Sequence, residues 1–268
     1  MSLSDLETVL GWAADEGWNP GLEDASAFYQ TDPEGFFVDV RDGAPCAAIS
    51  VVNHSDAFAF LGLYICHPAY RGQGIGLALW DHAIRHAGSR TIGLDGVPAQ
   101  QANYVKSGFV ADGATQRFEG DIQSADHPFI RPAQPSDFDQ LIALEAAANG
   151  YSKRGFLAAW LQDTESRKTV VVEKAGQIAG FATVRSCRTG SKIGPLVASD
   201  IDDAEQLIAG AATNGGPITI DVPAQSPQLT ELCKRLGMTC QFETARMYRG
   251  AFTPPGSSIV AVSTLELG

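Results

Sequence analysis

The sequence has few cysteines and no long apolar run. Its five cysteines among 268 residues are scattered and never spaced as Cys-x-x-Cys, so we predict no metal site and no disulfide framework. Reduced thiols favour a cytoplasmic protein. No apolar run approaches the ~18–20 residues that span a bilayer, and the start of the chain lacks the charged and apolar regions of a signal peptide.

Positive charge is also scarce. Lys and Arg number 19 against 31 Asp and Glu, which gives a formal net charge of −12. Residues 1–128 hold 6 basic and 17 acidic side chains, whereas residues 129–268 hold 13 and 14. A chain this acidic, without a basic run, is predicted to bind neither nucleic acid nor an anionic membrane. The acidic excess of residues 1–128 is compatible with a cationic substrate, although an ordinary solvated acidic surface accounts for the same charge.

Hydropathy periodicity predicts an α/β unit in the first part of the chain. The predicted helices cover residues 4–17, 77–87 and 100–107. The predicted strands cover residues 35–40, 47–52, 58–66 and 91–95. The first helix is predicted to open on a capping box of Ser4 and Glu7.

A second part of the chain repeats this order of elements. Its predicted helices cover residues 138–149, 203–212 and 228–236, and its predicted strands cover 169–173, 178–184, 192–197 and 218–222. Val-Pro-Ala-Gln follows a strand in both parts, at residues 97–100 and 222–225. We interpret the chain as a duplicated α/β unit. The polar, patternless segment 120–128 then separates a domain at 1–126 from one at 127–268, called below the first and second halves.

The most informative motif is Arg71-Gly72-Gln73-Gly74-Ile75-Gly76, which lies between a strand and a helix. Glycines let the backbone wrap closely around a ligand, and the helix N-terminus adds partial positive charge. Such a loop is predicted to hold a pyrophosphate, with Arg71 able to add a charge-assisted contact.

Two cofactor families use such a loop. A dinucleotide fingerprint, Gly-x-Gly-x-x-Gly, fits Gly72 and Gly74, but Leu77 stands in the place of its third glycine. Asp95, at the end of the next strand, keeps this alternative open. Against it, a helix and a hairpin precede the motif, where a dinucleotide-binding domain normally begins with it.

The other pattern, Arg/Gln-x-x-Gly-x-Gly/Ala, is matched throughout by residues 71–76. Tyr104 through Phe109 also match a Tyr-x-x-x-Gly-Phe pattern about 30 residues further on. With both motifs, residues 4–118 resemble the GNAT superfamily of N-acetyltransferases. The resemblance implies a mixed, mostly antiparallel sheet flanked by helices, with acetyl-CoA as co-substrate, no metal, and an amine acceptor that we expect to be a small molecule.

The resemblance also implies roles for individual residues. The residues assigned to acetyl-CoA are Leu63, Tyr64 and Ile65 along the pantetheine, and Arg71, Gly72, Gln73, Gly74, Ile75 and Gly76 at the pyrophosphate. A main-chain N–H near Ile65 or Cys66 would polarise the thioester carbonyl, and Tyr104 would protonate the departing thiolate as general acid. The general base stays open among Asp95, His67 and His54. An acyl-cysteine on Cys66 is a further hypothesis, without a visible activating partner.

The second half keeps the element order without this chemistry. At the place of the glycine loop it has Ser199 to Ala204, with three aspartates and no glycine, and Cys233 stands where Tyr104 would be. We therefore predict a degenerate GNAT-like domain that binds no acetyl-CoA and that either walls the acceptor site or holds the domain pair together. The alternatives are transfer of a longer acyl group, an idle acetyl-CoA sensor and a dinucleotide-dependent oxidoreductase. The sequence indicates no oligomeric state.

Overall fold

The computed structural model describes residues 1–212, 216–252, 256 and 258–268. Its helices are α1 (Leu3–Asp15), α2 (Asp24–Thr31), α3 (Ile75–Ala83), α4 (Gln101–Lys106), α5 (Phe138–Asn149), α6 (Arg154–Trp160), α7 (Ile201–Ala211) and α8 (Pro227–Arg235). Its strands are β1 (Phe36–Arg41), β2 (Ala44–Asn53), β3 (Phe58–Cys66), β4 (Thr91–Gly96), β5 (Val110–Gly120), β6 (Ile130–Pro132), β7 (Arg167–Lys174), β8 (Gln177–Ser186), β9 (Ser191–Ala198), β10 (Ile218–Pro223), β11 (Thr239–Arg249) and β12 (Ile259–Ala261). No helix in these described ranges is both long and apolar enough to cross a membrane.

The sheet is one continuous structure that exchanges a strand between the two halves. Its order is β1-β2-β3-β4-β11-β5-β10-β9-β8-β7-β6, with β12 on β9. Strand β11 of the second half lies between β4 and β5, and β5 of the first half lies between β11 and β10. The order is therefore nearly symmetrical about the central β5–β11 pair, as expected for a duplicated unit.

Each half contains one parallel pair of strands that soon separates. In the first half, residues 58–60 of β3 pair with residues 91–93 of β4. In the second half, residues 191–193 of β9 pair with residues 218–220 of β10. Beyond these three pairs the strands diverge, which leaves an equivalent gap in both halves.

The two halves share a hydrophobic core on one face of the sheet. Phe28 of α2 stacks on Trp160 of α6 with 5.9 Å between ring centroids, and Phe156 lies beside both. These residues belong to the cluster that also includes Leu6 of α1 and Leu141 of α5. Because large aromatic side chains bury much apolar area, this contact strongly favours a fixed arrangement of the halves.

Several local features differ from the sequence analysis, which predicted none of the strands β5, β6, β11 and β12. The capping box of α1 is formed by Ser2 and Asp5 instead of Ser4 and Glu7: the Ser2 hydroxyl accepts from the Asp5 N–H, and the Asp5 carboxylate accepts from the Ser2 N–H. The helices α2 and α6 fall in segments without a predicted helix. Both are short and rest on each other, so tertiary packing rather than their own pattern stabilises them.

Candidate functional site

The gap between β3 and β4 opens into two adjoining spaces. The outer cleft, of about 520 Å³, runs past Ile65 to the loop at residues 71–76. The inner cavity, of about 100 Å³, lies deeper, between the two halves. Tyr64 lines both and therefore marks their junction. A bulge in β3, where Leu63 has a φ of +46° and the register with β2 shifts, bends the strand at this point.

The glycine loop has the geometry of an anion site. Helix α3 begins at Ile75 on the N-cap Gly74, which has a φ of +79° and provides no side-chain cap. Gly72 also has a positive φ, +76°, and a Cβ at either glycine would meet no atom within 4 Å. The first turn of α3 holds no acidic side chain. The surroundings of both glycines are therefore open, and no side chain compensates the partial positive charge of the N–H groups at the start of α3.

Arg71 is held at the mouth of the outer cleft by its own partners. Its guanidinium pairs with Glu16 just after α1, and its Nε donates to the Cys66 carbonyl at 2.9 Å. A phosphate contact to this side chain would thus compete with Glu16. Gln73 donates from Nε2 to the Ala69 carbonyl at 3.2 Å, so its side chain braces the loop.

Tyr104 of α4 also lines the inner cavity. Its buried ring stacks on Trp80 with 5.5 Å between centroids. Burial, with a smaller contribution from Tyr64, raises the pKa of Tyr104 above its ordinary value. The phenol is therefore protonated at neutral pH and is able to donate a proton into the cavity.

Asp95 of β4 lines the inner cavity, but its lone pairs are already used. Its Oδ1 accepts from Thr115 at 2.9 Å, from Thr244 at 3.3 Å and from Arg246 Nε at 3.1 Å. Its Oδ2 accepts from Arg246 NH2 at 2.7 Å. A carboxylate in this position joins β4, β5 and β11, and it has little capacity left to accept a substrate proton.

The other base candidates lie outside the inner cavity. His54 is half-buried, with Nε2 2.7 Å from the Leu267 carbonyl, and desolvation of its ring lowers its pKa to about 3. His67 caps the short turn Pro68–Tyr70 and makes an edge-to-face contact with Trp12. Cys66 lines the outer cleft, but burial raises the pKa of its thiol, which disfavours the nucleophilic thiolate.

The second half supplies one wall of the inner cavity. The contributing residues are Phe242, Thr244, Leu265 and Glu266. Arg117 of β5 lines the same space and forms a bidentate pair with Asp221 of β10, with both N–O distances 2.7 Å. No motif marks these residues in the sequence. The strand exchange brings them to the site, and a local pattern carries no signal for such an exchange.

The equivalent gap of the second half is filled by the chain itself. Counted from the parallel pairs, Leu196, Val197 and Ala198 of β9 correspond to Leu63, Tyr64 and Ile65 of β3. Strand β12 pairs with these three residues of β9. The edge that β3 leaves open is thus covered in β9 by a strand of this protein.

The helix that follows β9 also differs from α3. The N-cap Asp200 of α7 accepts from the Asp203 N–H at 2.8 Å, and Asp202 and Asp203 lie in the first turn. These carboxylates compensate the positive end of the helix. Cys233 of α8 is fully buried, and burial raises its pKa to about 12. The acidic helix start disfavours a pyrophosphate, and the Cys233 thiol lies inside the hydrophobic core of the second half instead of lining a cavity.

Comparison with known proteins identifies the family. Residues 3–109 match the acetyltransferase (GNAT) family model, and residues 141–259 match an acetyltransferase (GNAT) domain model. Over its full length the chain is 34% identical to the holothin acyltransferase of Pseudoalteromonas sp. (strain SANK 73390), and the match covers 92% of that enzyme. The chain belongs to the GNAT acetyltransferase family.

Two solved structures show that this GNAT protein shares its tandem fold with others. A candidate acetyltransferase from Pyrococcus horikoshii superposes with a TM-score of 0.84 at 20% identity, covering 100% of this chain and 94% of the other. A tandem GNAT protein from the clavulanic acid biosynthesis pathway superposes with a TM-score of 0.61 at 16% identity, covering 96% and 98%. The predicted fold, two tandem GNAT-type domains with a mixed sheet, is confirmed.

The enzyme class is confirmed as well: the protein is an acyltransferase of the GNAT family. The idle-sensor alternative is thereby set aside, and so is the dinucleotide alternative. The glycine loop of this protein follows the third strand of an antiparallel meander, whereas the loop of a dinucleotide-binding domain follows the first strand of a parallel sheet.

Proposed function

We propose that the first half transfers an acetyl group from acetyl-CoA to a primary amine of a small molecule. The observation that carries this proposal is the gap between β3 and β4, which leads to the uncapped N-terminus of α3. Peptide-like groups of the pantetheine match the open edge of β3 at Leu63, Tyr64 and Ile65. The pyrophosphate matches the N–H groups of residues 72–76.

The residues around the junction of the two spaces support direct transfer. Acetyl-CoA supplies an acetyl group activated as a thioester. A neutral amine nitrogen forms the new C–N bond, the C–S bond breaks, and its electron pair leaves with sulfur. Tyr104 gives its phenolic proton to that sulfur and regains a proton from the nitrogen, so that an amide and a free thiol are left. The net reaction of an ammonium substrate releases one further proton.

The inner cavity favours a small acceptor. Its volume of about 100 Å³ lies below the ~300–1,000 Å³ of sites for drug-sized ligands. It is lined by side chains of both halves, and its size leaves little room for a folded polypeptide substrate. The similar acyltransferase from Pseudoalteromonas acts on holothin, which agrees with a small-molecule acceptor.

The second half is proposed to bind no acetyl-CoA. Strand β12 covers β9 at the position where β3 would hold pantetheine, and acidic side chains occupy the start of α7. Titration calorimetry of the full chain with acetyl-CoA should therefore give one site per chain.

The proposed function is tested by release of free CoA thiol from acetyl-CoA in the presence of aliphatic, arylalkyl and aromatic primary amines. We expect at least one amine to release thiol in step with an acetylated product identified by mass spectrometry. Parallel assays with propionyl-CoA and octanoyl-CoA measure the acyl preference. If product forms only with propionyl-CoA or octanoyl-CoA, the transferred group in the proposal changes from acetyl to that longer acyl group. If no donor gives a product, the proposal is contradicted.

A further inference from the structure

Glu266 is a buried carboxylate of the second half that lines the inner cavity of the first. It is only 4% exposed. Unlike Asp95 and Asp221, whose oxygens accept several hydrogen bonds, its carboxylate accepts none from the residues that the structure describes. Its oxygens are not among the side-chain atoms that are closed off from solvent without a partner, so a ligand in the cavity is able to reach them. A carboxylate that faces a cavity and accepts no hydrogen bond from the protein is suited to bind a ligand there.

The cations nearest to Glu266 are committed elsewhere. Its charge interacts with those of Arg117 and Lys192. Arg117, however, is paired with Asp221, and Lys192 donates to the Trp18 carbonyl at 2.7 Å. Both cations keep the carboxylate in an electrostatically balanced environment without binding it. A ligand entering the cavity therefore meets a carboxylate with free lone pairs.

The segment 259–268 fixes the position of this carboxylate. The segment starts as β12 in the gap of the second half, and the Val262 N–H then donates to the Asp221 carbonyl at 3.0 Å. It crosses to the first half, where the Glu266 carbonyl packs against Gly62 so closely that a Cβ there would lie 1.9 Å from it. The strand that fills the second gap thus delivers Glu266 to the first site.

We propose that Glu266 binds the ammonium group of the acceptor and takes its proton, which releases the neutral amine for attack. This rests on the proposed function and names the general base of that site. The nitrogen keeps its electron pair and forms the C–N bond with it. Glu266 is neutralised by the proton and passes it to solvent when the amide leaves. It also defines the acceptor class as basic amines that enter as cations.

Other ionisable groups face the same space and contribute to any pH dependence. They are Tyr64 of β3, Asp95 of β4, Tyr104 of α4 and Arg117 of β5, with Lys192 of β9 and Asp221 of β10 behind them. The Asp95 and Asp221 carboxylates are each paired with an arginine, and the tyrosines are protonated at neutral pH. Burial lowers the pKa of Lys192 to about 8, so Lys192 also titrates within the pH range of the test. Glu266 is the carboxylate facing the cavity that is not paired with an arginine.

The test compares the full-length wild type with Glu266→Gln, Glu266→Asp and the control Glu243→Gln, which removes an exposed carboxylate of β11. The readouts are kcat/KM for an amine substrate between pH 6 and 10, the Kd of acetyl-CoA, and the Kd of the amine in the presence of free CoA. We expect Glu266→Gln to lower kcat/KM about 100-fold or more near pH 7 and to weaken amine binding, with the Kd of acetyl-CoA unchanged. The deficit should shrink as pH approaches the pKa of the amine, because more amine is then already neutral. Glu266→Asp should recover part of the activity.

Three results would overturn the proposal. One is a Glu266→Gln activity within about threefold of the wild type. Another is a deficit that is the same at every pH, or that comes with equally weakened acetyl-CoA binding, as expected for a purely structural residue. A wild type that acetylates no amine would overturn both this proposal and the proposed function, and it is recognised before any variant is compared.

Discussion

Arg246 of β11 forms an ion pair with Asp95 of β4, NH2 to Oδ2 2.7 Å, although 151 positions separate the two residues. The pair is buried, and the guanidinium also lies over the Phe60 ring at 5.2 Å from its centroid. The sheet that carries the candidate site is thus completed by a strand from the other half.

Removing this cation should destabilise the whole chain. We expect Arg246→Met to lower the free energy of unfolding by about 3–5 kcal/mol, because the buried Asp95 carboxylate loses its counter-charge. Urea unfolding at pH 7 measures the effect. Arg41→Met is the matched control, since Arg41 pairs with Asp39 on the surface and such pairs contribute about 1 kcal/mol or less. If both variants lose the same free energy of unfolding, the buried Arg246–Asp95 pair stabilises the fold no more than the surface pair does.

The glycine loop should be sensitive to negative charge. We expect Gly74→Asp to raise the Kd of acetyl-CoA at least about tenfold, because the new carboxylate competes for the N–H groups at the start of α3. Gly43→Asp is the control: Gly43 has the same φ of +79° and equally open surroundings, in the turn between β1 and β2. Calorimetry should find wild-type affinity for it. If both variants bind acetyl-CoA alike, the pyrophosphate lies elsewhere.

Tyr104 should affect turnover more than binding. Tyr104→Phe removes a proton donor and little contact area, so we expect kcat to fall about 100-fold while the Kd of acetyl-CoA changes less than about twofold. Since burial raises the pKa of Tyr104 above its ordinary value near 10, ionisation of this phenol should not limit the rate of the wild type between pH 6 and 9.

Tyr64→Phe provides the comparison, because Tyr64 lines the same cavity. Steady-state kinetics of both variants decide between the two phenols. A large loss in Tyr64→Phe with little change in Tyr104→Phe would move the general acid to Tyr64.

His54 should make the fold sensitive to mild acid. Its pKa is lowered to about 3, mainly by burial and then by the charge of Lys153, whereas the unfolded chain takes up a proton near pH 6.5. Acid therefore favours the unfolded chain between these values, and stability is lost as pH falls through that window. The loss from this group is about 2 kcal/mol at pH 5.

The non-titrating variant His54→Gln should lose correspondingly less free energy of unfolding between pH 7 and pH 5 than the wild type. His127→Gln, in the segment between the halves, should behave like the wild type. Urea unfolding at the two pH values makes the comparison. Identical pH dependence in His54→Gln and the wild type would mean that His54 is not the responsible group.

The sequence by itself determined the parts of the site that are contiguous. Residues 58–83 contain a strand, a glycine loop and the helix after it. Each of these forms for a reason found within that stretch, namely apolar strand residues, glycines with positive φ and a helix start without a side-chain cap. The same holds for the duplicated order of elements, because helical and strand periodicity is a local property. The boundary at residue 126 stays a prediction, since β5 follows the first family match and pairs with the second half.

Only the tertiary structure decided which strands pair and what closes the inner cavity. By local pattern β5 and β11 suit either half equally, since each is one strand of the same repeated unit. Their exchange depends on packing across the whole molecule, including the stack of Phe28 on Trp160. Glu266 lines the same cavity as Tyr64 and Tyr104 only because β12 is anchored in the other half. A cavity shared by residues about 160–200 positions apart depends on long-range pairing and burial, which no local window of sequence contains.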